Sequence, residues 1–319
     1  MDISIIVPIY NEEESLEELC RLISEVVKEN RFTCEIILLD DGSSDSSWIK
    51  IRQLSKEVLA VKGLKFRRNY GKAAALQVGF NVAQGEVVIT MDADLQDSPD
   101  EIPHLYKMIK EQGYDLVSGW KKKRYDPIIK TISSKMFNLV TRKMSKIPLH
   151  DFNCGLKAYR SNVVKSIELY GETHRFVPVI AKWAGYNNIG EKVVKHQKRK
   201  YGSSKFGLSR FVYGFLDLLS IMFVTRFGRR PMHFFGLLGV LLFLTGFFIS
   251  FWLGAEKLYY VSKAIKAPLV TNNPFFYIAL VEMILGTQLF LAGFLGELMV
   301  RVLPKKDQCS IEERINFEE

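Results

Sequence analysis

The sequence predicts an α/β domain with a mostly parallel sheet, followed by an interfacial amphipathic helix and two transmembrane helices. Three patterns lead there. Through residue 200, short apolar runs alternate with helix-patterned segments over short connections, the signature of a mostly parallel sheet covered on both faces. At 233–254 and 275–300 the chain turns apolar, and about 20 such residues span a bilayer's hydrocarbon. Between these parts, Phe206, Leu208, Phe211, Phe215, Leu219 and Phe223 lead to the basic RFGRR at 226–230, as in a helix lying in a membrane interface. The expected organisation is a catalytic-type domain at 1–205, an interfacial helix at 206–232, a two-helix anchor at 233–303 and a tail at 304–319. A length of 319 residues accommodates two domains.

Taken in order, Ile3 to Val7 is a buried strand, and Pro8 and Asn11 then turn the chain. Glu12, Glu13 and Glu14 suit the positive start of a helix, whose core face is Leu16, Leu19, Ile23, Val26 and Val27. Glu35 to Leu39 is a second strand ending in DDGSSDSS at 40–47; Gly42 suits a tight turn and Asp45 or Ser46 a helix cap. Val61 to Phe66 is the third strand, followed by RRNYGKAAALQVGF, with Gly71 at the turn and an alanine-rich helix behind it. The fourth strand opens VVITMDADLQD at 87–97, and Asp115 to Ser118 is the fifth.

The fourth strand is where chemistry concentrates. Its apolar run ends in Asp92 and Asp94, and side chains two residues apart in an extended segment point the same way. In open α/β sheets ligands bind at that carboxyl edge. Two hard carboxylates there suit a Mg²⁺ or Mn²⁺ ion clamping a diphosphate; the competing reading is a solvated acidic turn that caps the next helix. No GxGxxG follows the first strand and no GxxxxGKS/T occurs anywhere. Anionic charge must then be met by a metal and basic side chains rather than by a glycine-rich phosphate loop.

Composition narrows the partners. The net charge of +9 gathers in KKKR at 121–124, RKMSK at 142–146, KVVKHQKRK at 192–200 and RFGRR, clusters that favour polyanions: nucleic acid, anionic lipid or phosphorylated substrates. Cys20, Cys34, Cys154 and Cys309 include no CxxC pair, which fits reduced thiols rather than a disulfide framework or zinc site. Asp2 stands where a signal peptide has a basic region, and the apolar run breaks at Pro8. The mean hydropathy of +0.03 averages a polar first part with the apolar runs.

In this order, SIIVPIYNEEESL, LLDDGSSDSS, NYGKAAALQVGF and MDADLQDSPDEI resemble the family-2 glycosyltransferases of the GT-A fold. HDFNCGLKAYR at 150–160, KRKYGSSKFG at 198–207 and the two apolar runs narrow the resemblance. They point to polyprenyl-phosphate glycosyltransferases, the group of dolichyl-phosphate mannose synthases and bacterial polyprenyl-phosphate glucosyltransferases. The QxxRW-type motif of processive polysaccharide synthases is absent, which disfavours a polymerase. The resemblance implies that Pro8, Tyr10 and Glu12 lie along the nucleoside, that Asp41 accepts a hydrogen bond from the base and that Lys72 sits on the phosphate side. Asp92 and Asp94 would hold Mg²⁺ or Mn²⁺, with Gln96 nearby. A helix-capping turn acid is the alternative for Asp41, and a surface lysine for Lys72.

Asp151 matches the position called the catalytic base in relatives that glycosylate hydroxyls. A phosphate monoester has a second pKa of about 6, so a phosphate acceptor needs no strong base, and Asp151 can instead orient the acceptor or a cationic neighbour. A structural acid at a strand start is the alternative. The run 121–146 reads as an amphipathic helix with Ile128, Ile129, Ile132, Met136, Phe137 and Val140 among cations that could meet a membrane-bound phosphate; a plain solvated basic face is the alternative. On it, Lys130 and Ser134 resemble the Arg and Ser that hold the acceptor phosphate in dolichyl-phosphate mannose synthases; lysine there loses bidentate geometry. Arg199, Ser204 and Lys205 lie in a loop that can close over donor phosphates, or in a plain linker.

Within the second apolar run, Glu297 is near the end, whereas Glu282 is deep and needs another helix, a subunit or the lipid carrier's path to face. That makes a homo-oligomer, dimer or tetramer, an expectation. RFGRRP before and RVLPKK after the anchor favour cytosolic flanks, hence an integral membrane protein with a cytoplasmic catalytic domain, of the bacterial inner membrane. The expected reaction is inverting transfer of one sugar from a nucleotide sugar, UDP rather than GDP favoured, to polyprenyl phosphate. Membrane lipids are further partners and nucleic acid is not. Transfer to a lipid or protein hydroxyl, or a non-catalytic scaffold or flippase subunit, are the alternatives.

Overall fold

Eight strands form one mixed sheet: β1 (Ile3–Ile9), β2 (Cys34–Asp40), β3 (Val61–Phe66), β4 (Val87–Thr90), β5 (Leu116–Trp120), β6 (Lys157–Arg160), β7 (Ile189–Val193) and β8 (Ile311–Ile315). Their order across the sheet is β7-β5-β6-β4-β1-β2-β3-β8. The structure is a computed structural model and describes residues 1–122, 128–171, 173–197, 200–201, 231–265, 269–302 and 311–316. It divides into two compact units, Met1–Leu219 with Asp307–Glu319, and Ser220–Lys306.

The five expected strands are present, and three more join them. Their sequences explain why they are hard to read. KAYR is short, IGEKV carries two charges, and IEERI has three charges between its isoleucines. The inner strands lie between two helical layers, so both of their faces are apolar. Ile5, Val7, Ile36, Leu38, Val87 and Ile89 face α1 (Leu16–Glu29), α2 (Ser47–Glu57) and α4 (Ile102–Lys110). Ile6, Ile37, Leu39, Leu64 and Val88 face α3 (Lys72–Val82), α6 (Ser161–Ser166) and α7 (Val177–Trp183). The expected amphipathic helix appears as α5 (Ile128–Ser145).

Local chemistry sets the turns. Gly42 has φ +70°, and a Cβ there would lie 2.5 Å from the carbonyl carbon of Arg68, so only glycine fits both the conformation and the approach. Of the two cap candidates, Asp45 acts: its Oδ1 accepts the Ser47 N–H at 3.0 Å, whereas Ser46 makes no side-chain cap bond. β8 pairs antiparallel with β3, and Glu313 on it accepts from Trp48 Nε1 at 2.9 Å and from Arg52 at 2.5 Å.

In the second unit, α8 (Pro231–Ser262) and α9 (Pro274–Val302) extend the expected spans at both ends. Both are long and apolar enough to cross a membrane. They meet through glycine: a Cβ on Gly239 would lie 2.6 Å from the Gly286 carbonyl oxygen, and the reverse distance is also 2.6 Å. Glu282 faces the other helix, where the Thr245 hydroxyl donates to it at 3.0 Å. The expected interfacial helix at 206–232 lies outside the described residues, apart from its last two positions.

Candidate active site

Strand direction gathers the site. β1 is parallel to β2 and β4, and β2 to β3. β6 runs antiparallel to both β4 and β5, which returns β5 to their common direction, and β7 is parallel to β5. The carboxyl ends of β1 to β5 and β7 therefore share one edge, the edge at which open α/β sheets bind ligands.

At the β2 end, Asp41 is buried and its two carboxylate oxygens accept the Tyr70 N–H at 2.7 Å and the Gly71 N–H at 2.9 Å. Burial raises its pKa, while the two backbone donors pull the other way. Asp41 thus fixes the turn that launches α3. Pro8 lies half-buried in β1, Tyr10 is exposed just beyond it, and the Glu12 N–H donates to Ser47 Oγ at 3.1 Å.

The first residue of α3, Lys72, forms an ion pair with Asp92 Oδ1 beyond the end of β4. Desolvation works against the Asp92 charge, but Lys72, Lys121 and Lys157 outweigh it and hold the carboxyl well below the usual range. Asp94 is nearly buried and accepts the Gln96 N–H at 3.2 Å; the Gln96 carbonyl accepts the Gln197 N–H at 2.8 Å. Behind them Lys121 lies 2.8 Å from the fully buried Asp97. Burial opposes the charge on Lys121, and the Asp97 and Asp92 carboxylates outweigh it, raising its pKa.

The donor chemistry fits a divalent cation. Asp92 is ionised, Asp94 is two residues away, and Gly155 leaves the Asp92 carboxylate room, since a Cβ on Gly155 would lie 2.3 Å from Oδ2. Among the described residues no three His, Cys, Asp or Glu side chains converge as a metal cage. Mg²⁺ is typically held by one or two carboxylates together with substrate phosphates.

Asp151 is buried in the loop before β6, and its Oδ1 accepts the Asn153 N–H at 3.1 Å. Asn153 also donates from Nδ2 to Ser134 Oγ on α5 at 3.3 Å, so the helix expected to meet the acceptor is tied to the Asp151 loop. The side chain of Lys130 lies outside the described residues, as do Arg199, Ser204 and Lys205.

Two linked groups emerge, one running from Asp41 through the 70–71 turn and Lys72 to Asp92, the other from Ser134 through Asn153 to Asp151. Gly155 joins them, its carbonyl held by Thr90 Oγ1 at 2.9 Å. Reading the sequence did not single out Gly155, Lys121, Lys157 or Glu191, whose Oε1 accepts the Asp151 N–H at 3.1 Å. Gly155 and Lys157 sit inside the HDFNCGLKAYR stretch and Lys121 opens the KKKR run, whereas Glu191 is a solitary acid in a strand with no local signal.

A mostly parallel mixed sheet with acids gathered at its carboxyl edge is the arrangement of a GT-A glycosyltransferase. Similar folds include glucosyl-3-phosphoglycerate synthase from Mycobacterium tuberculosis in complex with UDP, at a TM-score of 0.55 and 17% identity over 70% of this chain and 79% of that one. A complex of that enzyme with Mn²⁺, UDP-glucose and glycerol 3-phosphate gives a TM-score of 0.53 at 17% identity, with the same coverage. Residues 4–168 match glycosyl transferase family 2, and the chain belongs to that family. The dodecaprenyl-phosphate galacturonate synthase of Rhizobium johnstonii is 35% identical over 96% of this chain and 90% of its own length. The undecaprenyl-phosphate 4-deoxy-4-formamido-L-arabinose transferase of Proteus mirabilis is 34% identical over 94% and 89%.

Proposed function

We propose that the protein transfers a single sugar from a nucleotide sugar, UDP-linked in preference to GDP-linked, to a polyprenyl phosphate of the undecaprenyl type. The product is a polyprenyl-phosphate-linked sugar for modification of cell-envelope glycans. The carrying observation is coverage: likeness to a relative named for a polyprenyl-phosphate product runs through 96% of the chain, apolar helices included.

In this reading an acceptor phosphate oxygen attacks the anomeric carbon in line, the bond to the diphosphate breaks, and configuration inverts. A phosphate acceptor is already largely ionised at neutral pH, with a second pKa of about 6, so Asp151 orients rather than deprotonates. Asp92 and Asp94, with Gln96 beside them, would hold Mg²⁺ or Mn²⁺, which supplies charge to the departing nucleoside diphosphate. Asp41 and Lys72 serve the donor, with Pro8, Tyr10 and Glu12 along the nucleoside and Arg199, Ser204 and Lys205 over its phosphates. Lys130 and Ser134 serve the acceptor phosphate.

In the same proposal the domain comprises 1–205 with 311–315 added to its sheet, the interfacial helix 206–232 and the anchor 233–303, with the domain on the cytoplasmic side of a bacterial inner membrane. The return of 311–315 to the catalytic sheet as β8 supports an even number of crossings. Homo-oligomers, dimeric or tetrameric, belong to the same proposal. The test incubates the full chain in membranes with a panel of nucleotide sugars, a short polyprenyl phosphate and Mg²⁺ or Mn²⁺. One sugar per polyprenyl phosphate is expected by mass. Product only on hydroxyl acceptors, or none with any donor, overturns the reading.

A further inference from the structure

The structure assigns Glu191 as the residue that positions Asp151, an inference that rests on the role proposed above for Asp151. Two strands grip residue 151 from both sides. On β7, Glu191 Oε1 accepts the Asp151 N–H at 3.1 Å and the His150 N–H at 2.6 Å. On β5, the buried Ser118 hydroxyl donates to the Asp151 carbonyl at 3.1 Å. Ser118 and Glu191 are directly paired in the β5–β7 register, so one rung of the sheet holds both ends of a single residue.

The second oxygen of Glu191 holds the neighbouring ring. His150 Nδ1 lies 2.7 Å from Oε2, and the imidazole stacks on Trp120 with centroids 4.1 Å apart and planes at 14°. Trp120 ends β5 at the sheet edge that carries the acid pair. The Glu191 side chain is 13% exposed, and a carboxylate so enclosed requires donors; two amides and an imidazole supply them.

This grip matters because loops are the mobile part of a fold and Asp151 lies in one. A carboxylate that orients an acceptor works only while it is held close to its productive geometry, and misplacement by about 1 Å can cost a hundredfold. Fixing the N–H and C=O of residue 151 leaves only its side-chain torsions free, and the Asn153 N–H restrains those through Oδ1. Glu191 itself makes no contact with the reacting atoms in this scheme. Its effect passes through Asp151.

The test is a double-mutant cycle on the full chain, with donor and acceptor varied in turn. Glu191→Ala removes charge-assisted bonds and is expected to lower kcat about ten- to a hundredfold, with the donor KM unchanged within about twofold. Glu191→Gln keeps an oxygen for the two amides and is expected to lose no more than about fivefold. In an Asp151→Asn background either substitution should cost little further, because the residue it positions is already disabled. A merely structural role would multiply the two losses instead. If Asp151→Asn impairs turnover while Glu191→Ala and Glu191→Gln are silent, or multiply its loss, the positioning role is wrong. If Asp151→Asn is itself silent, the role of Asp151 falls first and the inference with it. Should Glu191→Ala fail to fold, Glu191→Asp, whose shorter side chain withdraws the carboxylate from both amides, replaces it in the cycle with the same expected loss and the same criterion.

Discussion

Gly155 faces the carboxylate of Asp92 so closely that a methyl on its α-carbon would lie 2.3 Å from Oδ2 and 2.6 Å from Oδ1. Thr90 Oγ1 holds the Gly155 carbonyl at 2.9 Å from the strand that also delivers Asp92, so the loop cannot easily retreat. Gly155→Ala should therefore displace the carboxylate. The expected outcome is a loss of Mn²⁺ affinity of about tenfold or more, in proportion to one weakened charged ligand, with a melting temperature near that of the parent. Electron paramagnetic resonance of Mn²⁺ titrated with the full chain measures it, and unchanged affinity would sink the idea.

Asp92→Asn and Asp94→Asn should each abolish metal-dependent transfer while the protein stays folded and membrane-bound, since each replaces a charged oxygen ligand for a hard cation. Near-normal turnover of either variant with Mg²⁺ or Mn²⁺ would remove the pair from the active site.

The position of the acid pair was legible in the sequence because an apolar run that ends in acids marks the end of a buried strand, and Asp92 and Asp94 do follow β4 at the sheet's edge. β1, β2 and β4 were legible for a related reason, being inner strands buried on both faces and largely apolar. β6, β7 and β8 were not, because short or charged edge and crossing strands carry little periodic signal. The site's second half was only partly legible. Asp151 was visible through its motif, but Glu191 is 40 residues away, and only the β5–β7 register brings it to the Asp151 N–H. Lys121 reads as one cation of a basic run, yet it is an inner residue paired with Asp97.

The Lys72–Asp92 ion pair sets a pH dependence of stability. Because the folded-state pKa of Asp92 is depressed, its contribution is full above the unfolded carboxylate value and is lost as pH falls through the folded one. Lys72→Met should be less stable than the parent at pH 7. That difference should hold down to about pH 4, the ordinary carboxylate value, and shrink below it. Urea denaturation at a series of pH values checks the sign; a difference that grows on acidification contradicts the assignment.

Burial pushes the Cys20 and Cys34 thiols up to about 12, and a thiol reacts as its thiolate. Iodoacetamide at pH 8 should label neither in the native protein, and both after denaturation, as read by peptide mass spectrometry. Native labelling of Cys20 at the rate of a free thiol would contradict the packing of α1 on the sheet.

The last prediction concerns β8, which covers the β3 edge. An uncovered edge strand invites pairing with other chains, and β8 is held by side chains as well as by its ladder. Glu313 accepts from Trp48 Nε1 at 2.9 Å and from Arg52 at 2.5 Å, and Asn316 Nδ2 donates to the carbonyls of Ser55 at 3.1 Å and Val61 at 3.0 Å. The two Glu313 contacts should differ in worth. Arg52 is 54% exposed, and an exposed ion pair contributes about 0–1 kcal/mol. Trp48 is buried, so removing its partner strands a desolvated N–H at a cost of about 1–3 kcal/mol. Glu313→Ala should therefore destabilise the catalytic unit chiefly through Trp48. In a Trp48→Phe background Glu313→Ala should cost much less, since the orphaned donor is gone, while in an Arg52→Ala background its cost should be nearly unchanged. Urea denaturation of the catalytic unit within the full chain, followed by its own tryptophan-independent probe such as far-ultraviolet circular dichroism, gives the coupling energies. Equal coupling to both partners would place the strength of the latch in the exposed ion pair instead.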